Sequence, residues 1–501
     1  MTIKTIRFAL AVVLLATQAA QAIGYGDARP RAMGLAGSYT ALARGVESLY
    51  WNPANLALKD GPKVSIPMEL GFSYVLENNS WSVSTYNDFN GDFIDEGMKD
   101  DMLSDLGKEG LQFNTDLGVF VPLVGGTAFP LPWGLSSALA FDFRTGVEGQ
   151  VPGDMIEFML RGNQFESERL AAGRDPNYDI AEWDGEAWGL GVLSWGLAKP
   201  WVPKPLASYV SQFAVGGTIK LMSGFLGEVV QSDGGFITRV TGTDLEARAV
   251  VRSAGDLGID LNDPRPADLL DLKLGGFGLG LDLGAVGVTK DGRTTVGLSI
   301  VNFLDVMNWN IEAQQDSVYV TAEGVSVTSF TGKDGFDEIF DNPREVVVGG
   351  LIDTVFQSDV DSATWEDGNP VFRTQREISS FSRSLPAMLR LGVAHKPSPR
   401  LTVAANYDQA FSSGMGIDST PRVSLAAEYR LVNWFPIRFG LAGGGRGGRS
   451  SAFGFAFGPF TVKRFQMVLA ELSLSNRGGF FPGSSQGAGI SFNLLRMHIN
   501  R

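Results

Sequence analysis

Strict alternation of apolar and polar residues limits the fold of this chain more than any other feature. Leu401, Val403, Ala405 and Tyr407 alternate with Thr402, Ala404, Asn406 and Asp408; Val423, Leu425, Ala427 and Tyr429 alternate with Ser424, Ala426, Glu428 and Arg430. A period of two places the two sets on opposite faces of an extended strand. The pattern recurs at Phe113, Thr115, Leu117, Val119 and Val121, at Leu139, Phe141 and Phe143, and at Leu279, Leu281 and Leu283. It returns at Val296, Leu298 and Ile300, and at Ile490, Phe492 and Leu494. The fold class is all-β, with 14 or 16 strands by this count. Residues 223–255 read either as one long strand pair or as holding an extra hairpin, and 317–319 with 325–327 about Gly324 make a further candidate hairpin.

Alternation suits a soluble sandwich as well as a membrane barrel, since both bury one face of each strand. Connection lengths separate them. Short turns fall at 396–400, 432–436 and 462–464, whereas longer connections rich in glycine and serine fall at 411–420, 443–451 and 476–487. That asymmetry belongs to outer-membrane barrels, which have short periplasmic turns and longer external loops. Trp133, Trp201 and Trp434 sit at the expected periplasmic turns, either as an aromatic girdle at the depth where amphipathic rings favour a membrane interface or as rings beside prolines that pack under loops. The last strand, near 487–495, then descends to the periplasm, although the chain continues past Phe492 to Arg501 without a terminal aromatic residue. Segments 146–184 and 303–386 form large external excursions. Two stretches have helical spacing instead: 95–106, with Met98, Met102, Leu103 and Leu106, and 154–162, with Met155, Ile156 and Met159. The second is either a lid or collecting groove for apolar ligands or an ordinary packed loop helix.

Lys4 and Arg7, an apolar run over 8–16 and Ala20-Gln21-Ala22 form an export signal, with cleavage expected after Ala22. No later stretch reaches the roughly 18–20 apolar residues of a membrane helix. The formal charge of −14 disfavours nucleic acid as a partner, and the absence of cysteine removes disulfides, thiolate metal sites and thiol nucleophiles. Acidic residues over 92–105 and 353–367 read as solvated loops or as divalent-cation bridges at an anionic surface. Asp88-Phe89-Asn90-Gly91-Asp92 starts like a calcium loop, but Phe93 and Lys99 stand where that loop needs glycine and a bidentate acid. Gly483-Ser484-Ser485-Gln486-Gly487 has the spacing of a nucleophile elbow without its strand-to-helix setting, and only His395 and His498 are available as bases. No catalytic, metal or cofactor site is expected. Gly276, Gly278, Gly280 and Gly284 share one strand face, where a lumenal segment or neighbouring backbone approaches closely. Arg446 and Arg449, in the 443–448 glycine stretch, are either lipopolysaccharide phosphate contacts or part of a flexible external loop.

Behind the export signal, Ala28-Arg29-Pro30-Arg31-Ala32-Met33-Gly34-Leu35-Ala36-Gly37 leads through a short helical stretch to Leu49-Tyr50-Trp51-Asn52-Pro53-Ala54-Asn55-Leu56-Ala57. This segment resembles the N-terminal plug, or hatch, of FadL-type outer-membrane barrels, matching at Asn52, Pro53 and Ala54 and placing Asn55 where that family usually has glycine. Residues 79–92 also resemble a branch of that family in which a helical element lies between the first two strands. The resemblance implies a signal peptide at 1–22, a hatch at 23–60 and a transmembrane antiparallel β-barrel over 61–501, in the outer membrane of a diderm bacterium. It further implies passive uptake of hydrophobic small molecules, such as long-chain fatty acids or hydrocarbons, with Asn52, Pro53 and Ala54 as hatch residues. Outer-membrane lipid and lipopolysaccharide are the expected surroundings. The alternative is a non-transporting barrel similar to the PorV type, which would hold a secreted protein partner at the surface.

Overall fold

A computed structural model describes residues 29–66, 68–89, 94–106, 110–120, 126–161, 171, 173, 177–179, 184–232, 236–239, 242–255, 273–322 and 371–500. The export signal, residues 90–93, the hairpin arm 325–327 and the acidic run 353–367 lie outside them. Among the described residues, fourteen staves form one antiparallel sheet. They are β1 (Pro62–Ile66 and Leu70–Asn78), β2 (Leu111–Phe120 and Thr127–Pro130), β3 (Ser136–Val151), β4 (Asp184–Pro200) and β5 (Val210–Ser232). Next come β6 (Gly242–Gly255 and Gly276–Thr289), β7 (Thr294–Val301, Val306–Trp309 and Gln314–Ala322) and β8 (Val371–Ile378, Phe381–Ser382 and Met388–Ser398). The ring finishes with β9 (Leu401–Ala410), β10 (Arg422–Val432), β11 (Phe435–Gly444), β12 (Arg449–Phe457 and Phe460–Val462), β13 (Phe465–Arg477) and β14 (Gly487–Asn500). β14 pairs back onto β1, from Leu70 opposite Leu494 to Glu77 opposite Gly487, so the sheet closes and has no open edge around the ring.

The faces are inverted relative to a soluble protein. On β9 and β10, Tyr407, Val423 and Leu425 are exposed, while Asn406, Asp408, Ser424 and Glu428 are buried. Leu279, Leu298, Phe439 and Phe453 continue the exposed apolar belt on other staves. Each such side chain forgoes about 1.5–3 kcal/mol when left in water, a loss that hydrocarbon removes. The pattern is that of a barrel with lipid outside and a polar lumen. β9 and β11, at 10 residues each, have the length a tilted strand needs to cross a bilayer, and β5, at 23, projects far beyond it.

Several expectations change in detail. Residues 443–451 do not form a long loop, because β11 and β12 extend into them and leave only 445–448 as the turn. The last strand continues beyond 495: Leu495 takes a left-handed φ of 58°, and Met497–Asn500 then pair with Pro62–Ile66. Ser317 to Tyr319 pair with β6 on one side and β8 on the other, so their partners come from distant sequence. Over 223–255 both readings hold in part, since β5 pairs with β6 along its length and Phe236–Arg239 adds a small hairpin at the tip.

At the long-loop end, the helices expected at 95–106 and 154–162 occupy Glu96–Ser104 and Gly153–Arg161, and a helix at Val83–Phe89 lies between the first two staves. Asp95 caps the first of these by accepting from Met98 N at 2.9 Å. Met102, Ile156 and Leu160 pack with Ile94, Leu111, Phe113 and Val151, which explains why Phe113 is buried although it shares a face with exposed Leu117. Trp133, Trp201 and Trp434 are exposed at the opposite, short-turn end.

Candidate functional site

Residues 29–58 form a run of short turns and helices that is almost wholly buried among inward-facing side chains of the staves. Pro30 starts the helix Pro30–Gly34, and Ala36 and Gly37, with φ of 47° and 82°, reverse the chain after it. A second helix, Ser48–Trp51, stops at Asn52, whose extended backbone (φ −157°, ψ 103°) is the conformation a following proline enforces. Asn52 Oδ1 then accepts from Ala54 N at 3.1 Å and caps the 3-10 turn Pro53–Ala57. The other half of its amide reaches the wall: Nδ2 donates to the main-chain oxygens of Ala285 on β6 (2.9 Å) and Leu298 on β7 (3.3 Å). Asn55, fully buried, donates to the Thr40 carbonyl at 2.9 Å and ties the two arms of the segment together.

The wall receives this segment on glycines. A methyl group at Gly284 would lie 2.1 Å from Asn52 Oδ1, and one at Gly216 would lie 2.8 Å from both Ala54 N and the Pro53 carbonyl carbon. Gly392 meets Thr40 and Ala41 in the same way, and Gly440 meets Leu35 and Ala36. Gly216 and Gly284 face each other across β5 and β6, as Gly297 and Gly392 do across β7 and β8. Of the four glycines grouped from sequence, only Gly284 touches the segment. Gly276 and Gly278 instead accommodate the backbone of β7, and Gly280 lies against the Asp305 carboxylate.

Buried charges complete the seat. Arg31 grips Glu428 on β10 with two bonds of 3.0 and 3.1 Å, and Glu428 accepts from Arg438 on β11 at 2.8 Å. Arg438 donates onward to Glu471 on β13 at 2.9 Å; Glu471 pairs with Arg496 on β14 at 2.9 Å, and Arg496 returns to Glu47 of the segment at 3.0 Å. The circuit thus begins and ends on residues 29–58. Elsewhere Arg29 pairs with Glu69 and with Asp142 on β3, and the Arg390 guanidinium stacks over the Trp51 ring at 4.1 Å. None of these partners was singled out from sequence, although Glu428, Glu471 and Arg438 are charged residues inside otherwise apolar alternation, the signal that marks a polar lumen.

On the short-turn side of the segment is a polar cavity of about 410 Å³, lined among others by Arg44, Lys59, Asp60, Lys396, Glu428 and Arg496. On the long-loop side a smaller chamber of about 80 Å³ lies between Arg390, Arg422, Arg446, Glu77 and Arg477. Arg446 faces this chamber and pairs with Glu148 at 2.8 Å, whereas Arg449 is exposed on β12. Ser485 is at the long-loop end bonded to Arg477 O, and His395 and His498 are at the other end, so the structure does not bring the serine and the histidines together.

Asp60 fastens the exit of the segment to the wall. It accepts from Arg44 at 2.8 and 3.1 Å and lies 3.5 Å from Lys396. Burial pushes its carboxyl up, but Arg44 and Lys396 outweigh that and hold it at about 2. A carboxylate lowered on folding contributes stability that is complete above the unfolded value of about 4 and disappears as pH falls through the folded one. Protection of the Lys59 and Gly61 amides, taken relative to the unstructured exchange rate at each pH, should therefore fall between about pH 4 and pH 2, and in Asp60→Asn it should be low at every pH. Exchange in the native protein that ignores this window would contradict the assignment.

A family model described as "Family of unknown function (DUF5723)" matches residues 53–470. No curated protein matches the chain at a significant level. Solved structures similar to it include a Pseudomonas aeruginosa FadL homologue, with 12% identity, 96% of this chain and 100% of that one covered, and a TM-score of 0.45. A mutant of the TodX monoaromatic hydrocarbon channel shows 12% identity, 94% and 99% coverage and a TM-score of 0.45. The Ralstonia pickettii toluene transporter TbuX shows 11% identity, 94% and 98% coverage and a TM-score of 0.42.

Proposed function

The chain belongs to the DUF5723 family of unknown function, and on that premise we propose that it is an outer-membrane barrel for passive uptake of hydrophobic small molecules, closed by residues 29–58 as a hatch. Asn52, Pro53 and Ala54 are the hatch residues in this reading. The observation that supports it is the fit at Gly216 and Gly284: a separate small-residue segment touches the wall at backbone distance without being part of the sheet. A closure held by hydrogen bonds and ion pairs can move as a unit while the wall stays intact. Met98 and Met155, half-buried at the edge of the apolar cluster at the long-loop end, offer an adaptable surface suited to collecting apolar cargo. The cargo class itself comes with the FadL-type resemblance.

Uptake of radiolabelled oleate and toluene by cells producing the native barrel, compared with cells lacking it, tests this directly. A rise in initial uptake that Asn52→Leu alters is expected. Equal uptake in both strains for both solutes would discard transport. The rival, a PorV-like barrel that anchors a secreted protein, draws support from the buried ion-pair circuit that fixes the segment, and it predicts a protein partner co-purifying in stable proportion.

A further inference from the structure

We propose that the short-turn end of the barrel binds anionic phospholipid headgroups through a ring of lysines and arginines. In a chain of net charge −14 this end is basic. Lys199 and Lys204 flank the connection from β4 to β5, Lys290 and Arg293 form the turn from β6 to β7, and Lys463 and Arg464 form the turn from β12 to β13; all are exposed. Arg400 and Arg430 add exposed cations at the two intervening turns. Asp291 is the one acid in these turns, and its carboxylate is turned back onto Thr289 Oγ1 and Arg293 N, the latter at 3.1 Å. The acids concentrate at the opposite end, as in Asp95, Glu96, Asp100, Asp101 and Asp105. Charge is therefore segregated along the barrel axis.

Two features select a lipid surface over an acidic protein. The cations sit on separate turns spread around the perimeter, which matches an annulus of headgroups, whereas a protein would need one contiguous face. Interfacial aromatics share two of those turns, Trp201 at 58% and Trp434 at 44% exposed, and Trp133, 87% exposed, stands on a further turn at the same end; such rings settle at headgroup depth, where basic residues attract anionic lipid. With short turns facing the periplasm, the lipid is that of the inner leaflet. The inference rests on the barrel and its orientation and is independent of what passes through the lumen.

The test uses the full-length barrel in bilayers of equimolar phosphatidylglycerol and phosphatidylcholine, with one or the other brominated, and reads quenching of tryptophan fluorescence. Phosphatidylglycerol should be enriched around the protein by at least about fivefold at low salt, and the enrichment should collapse toward unity in high salt. The variant K199Q/K204Q/K290Q/R293Q/K463Q/R464Q should lose the enrichment, and exchanging lysine for arginine and the reverse at the same six positions should keep it. Heat-modifiable gel migration verifies that each variant is a closed barrel. Equal quenching by the two lipids in the native protein, or undiminished enrichment in the glutamine variant, overturns the proposal. Binding of soluble polyglutamate without any lipid preference overturns it in favour of an acidic protein partner.

Discussion

Valine at both Gly216 and Gly284 will unseat residues 29–58 and open the lumen to ions. The two glycines are direct partners across β5 and β6, and added side chains there meet main-chain atoms of Pro53 and Ala54 and the Asn52 amide. Main chain cannot rotate away as the tip of a long side chain can. Overpacking of this kind costs about 1–3 kcal/mol per site, or about 2–6 kcal/mol for the pair. That shifts the balance between seated and unseated segment at least about 30-fold. The wall should tolerate the change, because valine suits a strand better than glycine does. Single-channel recordings in planar bilayers should show persistent open conductance in the double variant and closed baselines in the native barrel, with unchanged heat-modifiable migration in both. Closed baselines in a folded double variant would mean that the segment does not seal the lumen.

Removing Arg438 will destabilise the barrel more than any other change to the charge circuit. Its side chain is 3% exposed and bridges two carboxylates, Glu428 and Glu471, that are 5% and 2% exposed. Arg438→Met leaves both with one fewer cation at a site where they are almost fully buried. Breaking a buried pair from one side costs about 3–5 kcal/mol. The denaturant midpoint should fall at constant slope. The double variant R438M/E471Q should recover most of the loss, since Arg31 then keeps Glu428 and Arg496 keeps Glu47, and no buried charge is left without a partner. A loss below about 1 kcal/mol would be the figure for exposed pairs and would imply that water reaches the circuit. Because Arg31 and Arg496 stay bound to the two glutamates in R438M, the segment should remain seated, which distinguishes this variant from the valine pair.

The strands and their faces were legible because alternation is a local property. Val423 and Leu425 point outward and Ser424 and Glu428 inward as the pattern required, and the tryptophans at 133, 201 and 434 fell at one end. The helices at 95–106 and 154–162 were also legible, since caps and apolar spacing act within a few residues. Loop 443–451 misled because its glycines and serines resemble a flexible connection, yet Gly443 pairs with Arg449 across the turn. Glycine composition carries no information about which backbone lies opposite.

By itself, then, the sequence determined an all-β chain with apolar outward faces, a polar inner face and an N-terminal segment stopped at Asn52-Pro53-Ala54. Only the tertiary structure decided that the staves among the described residues number fourteen, that Gly216 and Gly284 receive Asn52 to Ala54, and that Arg31, Glu428, Arg438, Glu471, Arg496 and Glu47 join in one circuit. The reason is register. Glu47 and Arg496 are 449 residues apart, and a slip of one residue in any stave would turn its lumenal charge out toward lipid. Alternation says which two faces a strand has, and only closure of the ring says what each inward side chain meets.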